Sequence, residues 1–398
     1  MRGNNHEDVF VLSGVRTPIG KYGGGLAAIP PCDLAAQVVR EAVSRSGTDP
    51  ADVGHVVFGN VIHTEVRDMY LARVAALNGG LETGTPALTL NRLCGSGLQA
   101  IVSAAQAIML GDCEVAVAGG AESMSRAPYW LPSLRWGQRM QDGVAVDPMT
   151  GALSDPFDAC HMGVTAENVA ADYGVSRVDQ DALAAESHRR AAAAQAAGYF
   201  TEQIVPVEVP GKKGTVTVVD TDEHVRPDVT VENLARLKPA FEADGTVTAG
   251  NASGINDAAA AVVLASGTFV SRSGLTPMGR LAGYGHAGVE PRIMGMGPVP
   301  ATRNVLDRTG LKLDEIDVFE VNEAFAAQAL AVTRELGLPP ERTNPNGSGL
   351  SLGHPIGATG AILAVKSLYE LRRTGGRYAL ATMCIGGGQG IAAIFERA

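Results

Sequence analysis

The chain repeats itself, and that repetition limits its fold more than any other feature. In the first half, Asp33 to Ser46 carries a helical pattern closed by Gly47, and Asp52-Val53 leads into the apolar run His55-Val56-Val57-Phe58. In the second half, Thr302 to Thr309 is closed by Gly310, and Glu315-Ile316 leads into Val318-Phe319-Glu320-Val321. The order then recurs. Cys94-Gly95-Ser96-Gly97 opens an alanine-rich helix to Leu110, stopped by Gly111 and followed by the strand Glu114 to Ala118. Gly357-Ala358-Thr359-Gly360 opens a helix to Arg373, stopped by Gly375 and followed by Tyr378 to Thr382. Strands alternating with glycine-stopped helices specify α/β layers. Two copies predict two similar halves, packed back to back around buried helices.

A length of 398 residues is long for one core and agrees with a duplicated or multi-domain chain. Between the copies the texture changes. Residues 125–244 hold both tryptophans, Trp130 and Trp136, and the basic pairs Arg189-Arg190 and Lys212-Lys213. Ser176 starts a helix there that an alanine run carries to about Ala197, before Gly198 stops it. This segment reads as an inserted domain. The predicted division is residues 1–124 plus 245–275 for the first half, 125–244 for the insertion and 276–398 for the second half.

Hydrophobic residues make up 45% and charged residues 19%, the composition of a folded globular chain. The net charge of −10, with no basic stripe, argues against nucleic acid as a partner. An anionic small molecule is still open to the chain through a local basic patch. The polar, acidic start Met1 to Phe10 lacks the basic start and apolar core of a signal peptide. No stretch approaches the ~18–20 consecutive apolar residues of a membrane span. The expected location is the cytoplasm, with no membrane partner.

The five cysteines are Cys32, Cys94, Cys113, Cys160 and Cys384. Their odd number and the absence of Cys-x-x-Cys spacing argue against a disulfide framework or a metal site. Cys32 and Cys113 read as buried, inert thiols. Cys94 follows an apolar strand and a tight turn and precedes a helix, where unpaired N–H groups and the helix dipole favour a thiolate and supply donors for an oxyanion. A glycine turn with an incidental cysteine fits this window equally. Gly95-Ser96-Gly97-Leu98-Gln99-Ala100 also fits a dinucleotide-binding pattern, but the next strand runs into Gly119-Gly120-Ala121-Glu122 without the acidic residue expected at its end. Three further windows carry chemistry. His354 lies between Gly353 and Pro355 on a rigid turn, at the place in the repeat that Cys94 holds in the first half. Cys384 ends a strand and enters the glycine run Gly386-Gly387-Gly388, where the backbone can approach a ligand. Asn322-Glu323 is a polar pair ending an apolar strand.

Taken in order, the windows Asn91–Ala100, Gly119–Pro128, His161–Val169, Asn251–Asp257, Asn322–Ala326, Asn346–Gly360 and Cys384–Gly390 resemble a thiolase over essentially the whole chain. More narrowly, Val56 to Ile62 and Ile391 to Arg397 are similar to the bacterial broad-range β-ketothiolases that feed polyhydroxyalkanoate synthesis and touch fatty-acid metabolism. The resemblance implies two duplicated α/β halves in a five-layered α-β-α-β-α core with an inserted loop domain. It implies an acyltransferase that joins acetyl-coenzyme A and an acyl-coenzyme A into 3-oxoacyl-coenzyme A, or cleaves it in reverse, through an acyl-cysteine and ping-pong kinetics.

The same resemblance implies residue roles. Cys94 would be the acylated nucleophile, and His354 would activate it and help bind the thioester oxygen. Asn322 would hold a water that completes that oxyanion hole, and Cys384 would move the α-proton. The N–H groups of Cys94 and Gly386 would form a second oxyanion hole. Coenzyme A would lie near Leu153, His161, Met162, Arg226, Phe241, Ala249, Ser253 and Phe325. No metal and no permanently bound cofactor is implied, only coenzyme A thioesters as substrates. The implied assembly is a dimer through the core, paired into a homotetramer by the inserted domains. Two departures stand out. Asn233 replaces a serine common near the pantetheine chain, and Gly347-Ser348-Gly349-Leu350-Ser351 replaces a Gly-Gly-Ala-Ile-Ala run. A ketoacyl synthase-type condensing enzyme shares the fold but uses a second histidine or an asparagine where Cys384 stands. A non-catalytic acyl-coenzyme A or lipid carrier would be expected to lack one of Cys94, His354 and Cys384.

Overall fold

The computed structural model describes residues 7–211 and 214–398. The pair Lys212-Lys213 and most of the acidic start fall outside the described residues. The strands are β1 (Val9–Arg16), β2 (Gly20–Lys21), β3 (Val53–Gly59), β4 (Ala87–Leu90), β5 (Val115–Ser123), β6 (Val207–Pro210), β7 (Val216–Val219), β8 (Asn256–Ser266), β9 (Gly279–Gly288), β10 (Val318–Val321), β11 (Tyr378–Ile385) and β12 (Gln389–Arg397). The helices are α1 (Pro31–Ser46), α2 (Leu71–Asn78), α3 (Ser96–Leu110), α4 (Pro148–Ala152), α5 (Met162–Asp172), α6 (Arg177–Ala196), α7 (Val231–Ala235), α8 (Gly267–Ser273), α9 (Pro298–Thr309), α10 (Ala326–Leu336), α11 (Gly349–Leu352) and α12 (Thr359–Thr374).

The duplication is visible strand by strand. One ten-stranded sheet runs β4-β3-β5-β8-β1-β9-β12-β11-β10, with β2 paired to β8. In the first half β3 pairs β5 in parallel, β5 pairs β8 antiparallel and β8 pairs β1 antiparallel. In the second half β10 pairs β11 in parallel, β11 pairs β12 antiparallel and β12 pairs β9 antiparallel. Even β4, parallel to β3, has a vestige opposite it: Thr343 bridges Phe319 in parallel. Among the described residues, the two half-sheets pair in register at Phe10↔Arg280 and Val11↔Gly279, with Met278 N–H also donating to Val11 O. A seam that short lets the halves fold back on each other.

Alternation along the strands sorts side chains into layers. On β8, Ala258, Ala260, Val262 and Leu264 enter one core, whereas Ala259, Ala261, Val263 and Ala265 enter another. Both faces are therefore buried, which explains why the strand reads as an unbroken apolar run. The inner core also takes α3 and α12, the outer core of the first half takes α1 and α2, and the outer core of the second takes α9 and α10. The order is α-β-α-β-α. Helices α3 and α12 cross at their glycines: a Cβ on Gly97 would lie 2.7 Å from Ala361 N, and one on Gly360 would strike Leu98. By length and composition the stretch Leu93–Leu110 passes for a membrane span, but it is mostly buried between the two half-sheets.

The segment between β5 and β8 carries α4 to α7 and the β6–β7 hairpin. Helix α6 begins where the side chain of Ser176 accepts from Asp179 N at 3.1 Å. Among the described residues, every apolar cluster this segment joins also contains residues of the two halves: α5 packs with Phe319 and Val321, and Val207 and Val219 pack over α1. It lies over the core as a covering layer and closes one side of a cavity.

Candidate active site

Two strand ends, one helix start and the turn after a short helix meet at the floor of that cavity, which measures about 520 Å³. Cys94 precedes α3 by two residues, and Cys384 lies near the end of β11. His354 follows the short helix α11, and Asn322 follows β10. Cys94, His354, Cys384 and Gly386 all line the cavity. Asn322 is fully buried behind it, its amide nitrogen 3.4 Å from His354 Nε2. The expected positional match between His354 and Cys94 is not kept. His354 stands five residues ahead of α12, because Gly353 and α11 intervene, and Gly357 is the residue two positions before that helix.

Hydrogen bonds set the state of the imidazole. The Thr359 hydroxyl donates to Pro355 O at 2.9 Å, so its oxygen accepts from His354 Nδ1–H at 2.7 Å. Nε2 is left as the basic nitrogen. Burial lowers the His354 pKa to about 4, so the ring is neutral at physiological pH. Asn256 Oδ1 accepts from the His354 N–H at 3.0 Å and fixes the turn.

The thiols depart from the sequence expectation. Burial pushes Cys94 up to about 11, although the N–H groups of Gly386 and of Cys94 itself act in the opposite direction. The helix start therefore does not produce a resting thiolate, because desolvation outweighs the dipole. Cys384 is fully buried, and burial followed by the charge of Cys94 raises its pKa further. The resting site is a neutral thiol facing a neutral imidazole, with a second neutral thiol beside them.

The longer part of the cavity is lined by Leu153, His161, Met162, Arg226, Phe241, Ala249, Ser253 and Phe325. His161 stacks on Phe241 at 4.7 Å, and Phe325 meets Phe241 edge-on at 6.1 Å. Arg226 and Lys21 are the cationic side chains of the lining. Asn233, set apart by the sequence, lies in α7, where its N–H is bonded to Thr230 Oγ1 at 3.2 Å.

Three residues with structural claims on the site were not singled out in the sequence. Thr359 sets the tautomer of His354, and Asn256 holds its backbone. Glu122 receives Val61 N and Ile62 N at 3.0 Å, Gly357 N at 2.9 Å and Asn60 Nδ2 at 3.2 Å, tying both halves together beside Cys94. Burial raises Glu122 to about 8 against those donors. Strand β5 runs on to Ser123, so, contrary to the sequence expectation, an acidic residue does stand at its end, with its carboxylate taken up by these bonds within the protein. The available signal was a polar residue bounding a wholly apolar strand, as at Asn256-Asp257 and at Glu122.

Two stacked copies of one α/β half that bring a thiol, an imidazole and a second thiol into one cavity have the architecture of an acyl-transferring enzyme. Comparison with known proteins narrows the class. The description "Thiolase, N-terminal domain" matches residues 9–268, and "Thiolase, C-terminal domain" matches residues 275–397. The chain belongs to the thiolase family. It is 65% identical to the beta-ketothiolase BktB of Cupriavidus necator, over 98% of this chain and 99% of that protein. It is 48% identical to an acetyl-CoA acetyltransferase of the same organism, over 98% and 99% of the two chains. Among solved structures it superposes on a Bacillus anthracis acetyl-CoA acetyltransferase with a TM-score of 0.97 and 46% identity, covering both chains fully. It superposes on a human mitochondrial 3-ketoacyl-CoA thiolase in complex with CoA with a TM-score of 0.95 and 44% identity, covering 98% of each. The protein is a thiolase, an acyltransferase acting on coenzyme A thioesters by reversible Claisen condensation and thiolysis.

Proposed function

We propose that Cys94 is the residue acylated, that His354 and Cys384 handle the protons, and that Asn322 and Gly386 complete the two oxyanion sites. The observation that carries this reading is the neutral Cys94 thiol set against the Gly386 N–H, in one cavity with an imidazole whose Nε2 is the unprotonated nitrogen. Cys94 Sγ attacks the thioester carbonyl as its proton passes to Nε2. The carbon–sulfur bond to coenzyme A breaks, and the departing thiolate takes the Cys384 proton. The acyl oxygen rests on the N–H groups of Cys94 and Gly386.

Once acylated, Cys94 cannot become the thiolate whose charge would disfavour a Cys384 thiolate. Cys384 is then the base for the α-proton of a second thioester. The enolate oxygen is held by the Nε2–H of His354 and a water on Asn322. Its carbon attacks the acyl carbonyl, and the Cys94 thiolate leaves and regains its proton from His354. The N–H donors lower the demand on the base by stabilising the enolate as it forms.

The cofactor's arm is assigned to the wall formed by Leu153, His161, Met162, Phe241, Ala249, Ser253 and Phe325, with Arg226 toward its phosphates. The division into residues 1–124 plus 245–275, 125–244 and 276–398 is supported by the strand-by-strand duplication. The enzyme is assigned to the cytoplasm as a homotetramer using coenzyme A thioesters without a resident cofactor. Likeness to a beta-ketothiolase supports a broad acyl range, with propionyl-CoA accepted as primer beside acetyl-CoA, and a role in polyhydroxyalkanoate and fatty-acid metabolism. The test is incubation with acetyl-CoA, followed by peptide mapping and an assay for acetoacetyl-CoA. Acetyl on Cys94 is expected, and acetyl on another cysteine overturns the assignment.

A further inference from the structure

Cationic side chains that line a cavity elsewhere in this chain are neutralised. A cavity of about 270 Å³ beside α12 holds Lys366, Arg372 and Arg373, which pair with Glu320 at 2.7 Å, Glu202 at 3.4 Å and Glu370 at 2.7 Å. A cavity of about 540 Å³ beside α6 and α10 holds Arg190 and Arg334, which pair with Glu186 at 2.7 Å and Asp179 at 2.9 Å. The catalytic cavity differs. Its lining includes Lys21 and Arg226 but no aspartate or glutamate, although the chain carries 42 acidic residues against 32 basic ones. Among the described residues, neither the Lys21 ammonium nor the Arg226 guanidinium has an ion-pair or hydrogen-bond partner.

The backbone under both cations is held, and the nearby carboxylate is used for that purpose. Glu223 accepts from Lys21 N at 3.1 Å and from Gly25 N at 3.0 Å, and its own N–H donates to Ile19 O at 2.9 Å. Asn256, which fixes the His354 turn, also donates to Gly20 O at 2.9 Å. Three residues on from Glu223, Arg226 N donates to His188 Nδ1 at 3.1 Å. Glu223 therefore ties β2 to the covering segment through backbone N–H groups and leaves the ammonium unpaired. A cavity with cations and no carboxylates in its lining concentrates a positive potential where an anionic ligand enters. An ammonium is a compact charge that suits a phosphate, and it complements the planar guanidinium beside it in the lining.

We propose that Lys21 is a second phosphate-binding residue, which acts with Arg226 on the nucleotide end of the coenzyme A thioester and favours it over thioesters that lack phosphates. This rests on the assignment of the long part of the cavity to the cofactor's arm. Lys21 comes from the first half and Arg226 from the covering segment, so the nucleotide would be held by both bodies that enclose the cavity. The contact is made equally before and during the reaction, so it acts on binding and not on turnover.

The experiment measures KM and kcat for condensation of acetyl-CoA, of its 3′-dephospho form and of S-acetyl-pantetheine, which has no phosphate. Lys21→Ala is expected to raise KM for acetyl-CoA about threefold, the scale of one solvent-facing charge contact, and Lys21→Glu about tenfold, because it adds repulsion. KM for S-acetyl-pantetheine should not move in either variant, and Lys21→Arg should stay within about twofold of wild type for acetyl-CoA, since it keeps the charge. A KM for acetyl-CoA within about twofold of wild type in Lys21→Glu overturns the proposal, as does an equal rise with S-acetyl-pantetheine. A rise that disappears with the 3′-dephospho thioester supports a contact to the 3′-phosphate, and one that persists supports a contact to the diphosphate. Arg226→Ala tells the two assignments apart. An effect at Arg226 with none at Lys21 overturns only the role of Lys21, whereas no effect at either overturns the placing of the cofactor's arm as well.

Discussion

The two halves share one topology and use equivalent places differently. In the first half the residue after β3 is Asn60 and the end of β5 carries Glu122, and these two join in a clasp: the carboxylate takes three backbone N–H groups and the Asn60 amide. In the second half the residue after β10 is Asn322 and the end of β11 carries Cys384. There the Asn322 amide faces only the His354 ring, and its carbonyl oxygen is buried without a protein partner. Asn60 Oδ1 is likewise buried without a protein partner, so the copies differ at the amide nitrogen: in the first half it is spent on Ala121 O and Glu122, and in the second it faces the His354 ring beside the cavity. At the start of the buried helices the first half supplies Cys94, the nucleophile proposed here, where the second half has Gly357.

The sharpest test of that asymmetry is Cys94→Ala. It should abolish the acetyl-enzyme seen by mass spectrometry and condensation with it, because no other thiol pairs access to the cavity with the Gly386 N–H. Cys384→Ala should separate the second half's contribution. Acetyl transfer onto Cys94 persists, while condensation of acetyl-CoA falls by at least ~10²-fold, the lower scale for a positioned acid/base, and exchange of the acetyl α-protons with deuterated water falls with it. Near wild-type condensation in that variant would move the base to His354.

A pH series tests the resting state of the nucleophile. With Cys94 near 11, its thiolate fraction is small at pH 7 and increases as pH rises, so alkylation by iodoacetamide without substrate should climb about tenfold per pH unit from 7 toward 10. With His354 near 4, the imidazole stays neutral across that window and adds no step. A plateau already reached at neutral pH would show that the helix start does hold a thiolate and that desolvation had been overweighted.

Thr359→Val removes the acceptor that fixes the His354 tautomer. We expect kcat to fall about tenfold with KM little changed, and Thr359→Ser to restore it, in keeping with the usual cost of losing a residue that orients a working histidine. Equal losses in both variants would reduce Thr359 to packing. The smallest effect is expected at the far end of the cavity. Arg226→Ala should raise KM for coenzyme A thioesters several-fold with kcat nearly kept, and should matter less for a pantetheine thioester that lacks the nucleotide, because such a contact binds ground and transition states alike. Equal losses with both substrates would point to folding.

Much of this molecule was legible in one dimension. The repeated helix–glycine–strand order reflects local rules: glycines such as Gly111 and Gly375 end helices in the left-handed region, and unbroken apolar runs such as Asn256 to Ser266 form strands buried on both faces. The short motifs around Cys94, Asn322, His354 and Cys384 were also legible, because glycine and proline around a reactive side chain mark turns that present it. What only the tertiary structure decided is how these turns meet and what their meeting does to charge. The helix start at Cys94 predicted a thiolate, since the dipole is a local property. The raised pKa comes from the protein packed around the thiol, which no sequence window contains. The partnership of His354 with Thr359 and Asn256, the four-donor clasp at Glu122 and the meeting of Lys21 and Arg226 at one cavity likewise join residues from separate elements. Hydrogen bonding and desolvation act through space, over distances that the chain order does not record.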